Sequence, residues 1–125
     1  MKFQVVDWAG LPHPVFYEEP ELRKGLLSGL ILDMAHQEDL YLAELAKGEA
    51  GETILDLYNN CVHLYIYPDL VVLEDMYDHS LGDDEECEGP PASSFFKPAE
   101  IKQLILDWLD AKKQWYAERR RLAAN

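Results

Sequence analysis

Three runs of strand length, Thr53 to Tyr58, Cys61 to Tyr67 and Leu70 to Met76, are separated by only two residues each, Asn59-Asn60 and Pro68-Asp69. Connections this short, built from Asn, Asp and Pro, leave little choice but consecutive antiparallel hairpins. In the middle run Val62, Leu64 and Ile66 share one parity, and Cys61, His63, Tyr65 and Tyr67 share the other. A pleated strand sends alternate side chains to opposite faces, so the meander has one aliphatic face and one aromatic and polar face. The aliphatic face must be covered, and the rest of the chain has to supply the cover.

The flanking sequence is helical. Pro20, with Glu18, Glu19 and Glu21 around it, suits a helix start, where proline costs no hydrogen bond and acids favour the positive end of the dipole. Leu22, Leu26, Leu30 and Met34 then recur every four residues, with Leu27 and Ile31 widening the stripe. Gly25 and Gly29 lie inside that run and suggest a close approach by another element, while leaving a strand over Gly29 to Met34 open. Glu38 to Lys47 reads as a second helical piece ended by Gly48 and Gly51, and the pattern leaves open whether it continues the first. Pro98 opens the clearest helix, with Ile101, Leu104, Ile105, Trp108, Leu109 and Trp115 on one stripe and Lys112, Lys113 and Arg119 to Arg121 toward its far end. Phe3 to Val6 is a short strand candidate, and Gly10, Pro12 and Pro14 imply a loop after it. Tyr77 to Lys97 has no periodicity and reads as a loop.

These elements predict a single α+β domain over residues 1–125, in which a three-stranded antiparallel meander packs against a long C-terminal helix and one or two N-terminal helical segments. Fourteen aromatics and an apolar fraction of 48 % are enough for a core.

Charge is distributed unevenly. From Gly48 to Phe96 there is no lysine or arginine, yet this stretch holds twelve of the 24 carboxylates, and the chain carries a net charge of −13. Such a field attracts cationic partners and disfavours nucleic acid or an anionic membrane surface as ligand. No apolar stretch approaches the length of a membrane span, and the residues after Met1 form too short an apolar run for a secretory signal. Cys61 and Cys87 fall short of a disulfide framework, and two free thiols in the cytosol is the reading preferred over a bridge.

Chemistry-bearing constellations are sparse. Asp83, Asp84, Glu85, Glu86 and Glu88 lack the alternating spacing and central glycine of a calcium loop. Asp33, His36 and Asp39, spaced by three, share a side only on a continuous helix. Cys61 and His63 share a strand face, but neither group has the further ligands that four-coordinate geometry needs. Cys87 lies between two glutamates that disfavour its thiolate. There is no nucleophile elbow and no glycine-rich phosphate loop. The chain therefore reads as non-enzymatic, with no catalytic residue, metal or cofactor expected. Carboxylates beside accessible tyrosines suit the capture of a basic protein surface. The residues predicted to make that contact are Tyr65, Tyr67, Glu74, Asp75, Tyr77, Asp78, Asp83, Asp84, Glu85 and Glu86.

The strands TILDLYN, CVHLYIYPD and LVVLEDMYD, the acidic loop and the helix KPAEIKQLILDWLDAKKQW together resemble the small acidic bacterial immunity proteins. The resemblance lies in architecture and charge and transfers no individual residue. It implies a cytoplasmic inhibitor that plugs the cationic active-site cleft of a nuclease-like toxin domain. Two other readings stand beside it. One is a small metal-binding protein or metal-dependent enzyme using His36, Cys61 and His63. The other is a structural homo-oligomer mated through the meander edge or the Trp108/Trp115 helix face, whereas the immunity reading accommodates a monomer or a homodimer.

Overall fold

The computed structural model describes residues 2–50, 55–58, 62–75 and 93–124. The chain opens with a hairpin, β1 (Phe3–Trp8) and β2 (Leu11–Phe16). Ala9 and Gly10 form the turn with φ of 54° and 84°, the pair of positive values that a two-residue hairpin of matching twist requires. The Gly10 N–H donates to Asp7 Oδ1 at 2.8 Å.

The second strand corrects the sequence reading, which placed a loop at Pro12 and Pro14. Trp8 pairs with Leu11 beside the two-residue turn, Asp7 with Pro12, and Val5 with Pro14. Hydrogen-bonded and non-bonded pairs alternate from the turn outward, so both prolines fall at positions whose nitrogens face away from β1. The missing N–H groups cost the ladder nothing, because two residues apart they share the free edge.

The larger sheet has the order β3 (Leu55–Tyr58), β4 (Val62–Ile66), β5 (Val71–Asp75) and β6 (Ser93–Phe96), all neighbours antiparallel. The meander is present, with the Tyr67 N–H donating to the Leu70 carbonyl at 2.9 Å to close its second turn. β6 is an addition that the sequence reading left inside the loop at Ser93-Ser94. Its four residues carry no readable period, and only Phe96 is buried. Pairing of Val71 with Phe96 and Leu73 with Ser94 holds it in place.

Helix α1 (Glu21–Asp33) buries Leu26, Leu27, Leu30 and Ile31, and Met34 is buried just beyond its end. The chain then breaks at His36, whose φ is +66°, and restarts as α2 (Glu38–Glu49). Two helices rather than one answers the question the pattern left open. The break also separates Asp33, His36 and Asp39, which no longer share a helix face. Asp33 instead accepts from the Val62 N–H at 2.9 Å, tying the end of α1 to β4. Gly25 has open space around its Cα, so no element approaches it closely.

Gly48 is the penultimate residue of α2, within a residue or two of the end read from the sequence. A Cβ there would stand 2.3 Å from Ile66 Cγ2, on a β-branched side chain locked in the core. Gly48→Ala is therefore expected to lower stability by about 1–3 kcal/mol through overpacking. Helix propensity alone predicts a gain of about 1 kcal/mol, so the sign of the change in denaturation midpoint decides between the two.

Helix α3 (Pro98–Ala123) begins with the Lys97 N–H donating to Glu100 Oε1 at 3.1 Å. α1 packs across β4, β5 and β6, α2 packs on β4, and α3 packs on α2 and the hairpin. Together they close over the aliphatic face, where Val62, Leu64, Ile66, Val71 and Leu73 meet the helix stripes in one core. Phe3 joins the hairpin to that core, with ring centroids 5.6 Å from Phe16 and 6.2 Å from Trp108. Tyr41 is fully buried, and among the described residues its hydroxyl has no hydrogen-bond partner. Burial, with the nearby Asp33 charge adding to it, pushes its pKa up to about 12, so the ring stays neutral.

Candidate interaction surface

The parity that buries Val62, Leu64 and Ile66 turns His63 and Tyr65 of β4 to the outer face of the sheet. Val72 and Glu74 of β5 follow the same parity, as do Ser93 and Phe95 of β6. Register arranges them in rows. Tyr65 lies opposite Val72, which lies opposite Phe95, and His63 lies opposite Glu74, which lies opposite Ser93. On the far side, backbone pairing sets Asp56 against Tyr65 and Tyr58 against His63.

Within this face the Tyr65 hydroxyl donates to Glu74 Oε1 at 3.4 Å, a diagonal contact between neighbouring strands. The His63 and Tyr65 rings stack with centroids 4.1 Å apart. Both contacts restrict the Tyr65 rotamer, so the ring is presented with little freedom left to lose. Phe95 is 64 % exposed, the most exposed of the large apolar side chains on this face. None of the described outer positions of β4, β5 and β6 carries a lysine or arginine.

Several of the described cations pair with carboxylates away from this face, and Arg23 also donates to the Phe95 carbonyl of β6 at 3.5 Å. Arg23 pairs with Glu19 at 3.0 Å, Lys24 with Glu21 at 3.1 Å and Lys47 with Glu44 at 3.2 Å, each within a helix or at its entry. Lys112 pairs with Glu38, Arg119 with Asp7 of the hairpin, and Arg121 with Glu118 one turn back. The Arg121 guanidinium holds the Glu118 carboxyl below its ordinary range. The basic end of α3 thus turns to the hairpin and to its own helix.

Of the residues predicted for partner contact, the structure brings Tyr65 and Glu74 together on the outer face. Tyr67 keeps their parity just beyond β4 and is half-buried. Asp75 is separated from them. It pairs with the buried Val62, shares its inward parity, and borders a groove with Gly25, Ser28 and Gly29 of α1. Tyr77, Asp78, Asp83, Asp84, Glu85 and Glu86 lie outside the described residues. Phe95 was missed, although its position beside Phe96 at the end of the base-free stretch was visible in the sequence.

Among the described residues, no group of three or more His, Cys, Asp and Glu side chains is arranged to hold a metal ion. His63 faces outward from β4, His36 sits in the α1–α2 turn, and Cys61 lies outside the described residues. No described helix is long and apolar enough to cross a membrane. No protein family, curated protein or solved structure matches this chain.

Proposed function

We propose that this protein is a non-enzymatic acidic binding module that captures a basic protein surface on the outer face of its four-stranded sheet, in the manner of an immunity protein occluding the cationic cleft of a toxin. The observation that carries the reading is the segregation of charge and aromatic surface. Tyr65, Glu74 and Phe95 are displayed together, while Arg119 and Arg121 are held by carboxylates on the hairpin and on α3. Aromatic rings supply contact area at low entropic cost, and acids steer a cationic partner during encounter. Tyr67 keeps the same parity just beyond β4, and the acids from Asp78 to Glu86 follow β5 in the chain.

The test uses the protein encoded by the adjacent upstream reading frame as partner. The expected result is one-to-one binding whose association rate falls steeply as salt rises. Phe95→Ala and Glu74→Lys should each weaken binding by about tenfold or more, the loss of a contact worth roughly 1.4 kcal/mol. Phe95 is exposed, so Phe95→Ala should keep the parent's denaturation midpoint, which separates lost contact from lost folding. Unchanged affinity in both variants would remove the sheet face from the mechanism.

A further inference from the structure

A second recess lies on the helical side of the molecule, with α1 between it and the sheet. It is a cleft of about 140 Å³ bounded by the β1–β2 hairpin, the end of α1 and the middle of α3. We infer that it binds a small monocyclic aromatic carboxylate.

Size and lining set the apolar half of the ligand. Ile31, Pro14 and Trp108 form a buried floor, while Trp8, 60 % exposed, and Tyr116 stand at the mouth. A dry cavity of roughly 150 Å³ lined by Leu, Ile and Phe accommodates benzene, so this cleft has room for one ring. Aromatic walls favour a planar guest through offset or edge contacts. The Trp8 ring is already braced against His13, with centroids 5.4 Å apart.

Charge sets the other half. The basic side chains on the lining are His13, His36 and Lys112, drawn from β2, the α1–α2 turn and α3, and among the described residues no aspartate or glutamate lines it. In a chain with 24 carboxylates, the described lining gathers two imidazoles, an ammonium and no acid, so a guest's carboxylate meets hydrogen-bond donors there. The buried Glu38 carboxylate, which is not on the described lining, accepts from Lys112, which orients the ammonium and leaves it further donors. His36 is held at φ +66°, a conformation glycine adopts freely and a side-chain-bearing residue does not.

The experiment titrates the full chain with phenylacetate, its neutral analogue phenylacetamide and the cation benzylamine, following heat and the ring resonances of Trp108 and Tyr116. Phenylacetate is expected to saturate at one equivalent, to shift those resonances, and to bind about tenfold more tightly than the amide, as a charge-assisted contact provides. Benzylamine should bind more weakly than either. His36→Gly, which relieves the backbone, should melt no lower than the parent and should lose about fivefold or more in phenylacetate affinity. Trp8→Ala, at an exposed rim position, should weaken both phenylacetate and the amide. Absence of saturable binding, equal affinity for acid and amide, parental affinity in His36→Gly, or shifts confined to the outer sheet face would each overturn the inference.

Discussion

Lys112→Met is expected to cost about 3–5 kcal/mol of folding stability, because it strands the Glu38 carboxylate in the interior without its cation. Glu38 is 5 % exposed, the single charged residue buried among the described residues, and Lys112 reaches it from α3 across to the first turn of α2. The amino end of α2 offers the carboxylate some compensation through the helix dipole, worth about 0.3–1 kcal/mol, far less than the lost partner. Replacing both residues changes the sign of the argument. Glu38→Met with Lys112→Met removes two desolvated charges together, and apolar side chains of similar length can fill the same volume. The double variant should therefore return to within about 1.5 kcal/mol of the parent, or exceed it. Denaturant midpoints compared at constant slope measure both effects. A single Lys112→Met variant within about 1 kcal/mol of the parent would mean that the pair is open to water and holds nothing.

How much of this was legible in the sequence follows from how local each signal is. β4 was legible because Val62, Leu64 and Ile66 alternate with His63 and Tyr65 without interruption, and one face is buried. α3 was legible because Pro98 marks its start and its stripe repeats over several turns. The failures have a different cause. β2 hides behind two prolines whose tolerance depends on the partner strand, and β6 has four residues whose only instruction is the edge of β5. The α1–α2 break falls at a histidine in a conformation usually read from glycine, while Gly48, which looked like a terminator, is kept for the sake of Ile66.

The candidate surfaces divide the same way. Tyr65 and Glu74 could be placed by counting parity along their strands. Asp75 follows the same rule to the opposite face, and grouping it with its neighbours by charge alone obscured that. The cleft was beyond reach of any local pattern. His13, His36 and Lys112 come from three elements far apart in the chain and meet only once the hairpin has folded onto α1 and α3. A base-poor stretch is a property of composition, whereas a base-lined recess is a property of topology.

Leu27→Ala is expected to cost about 2–5 kcal/mol, and Leu22→Ala to stay within about 0.5 kcal/mol of the parent. Both leucines lie on the helical stripe as the sequence displays it, so periodicity alone does not rank them. Position does. Leu27 is fully buried, on the helix that packs across β4, β5 and β6, whereas Leu22 is 47 % exposed at the first turn. Truncating Leu27 removes buried methyl groups and leaves a cavity that backbone on both sides prevents from closing, so transfer and cavity costs add. Truncating Leu22 exposes little that was not already wet. For a domain whose net stability is typically about 5–15 kcal/mol, the first change consumes a large fraction and the second almost none. Paired denaturation curves at one temperature make the comparison. Equal losses at the two positions would mean that α1 is rotated about its axis from the arrangement described, which would also displace Ile31 and Leu32 from the wall of the cleft.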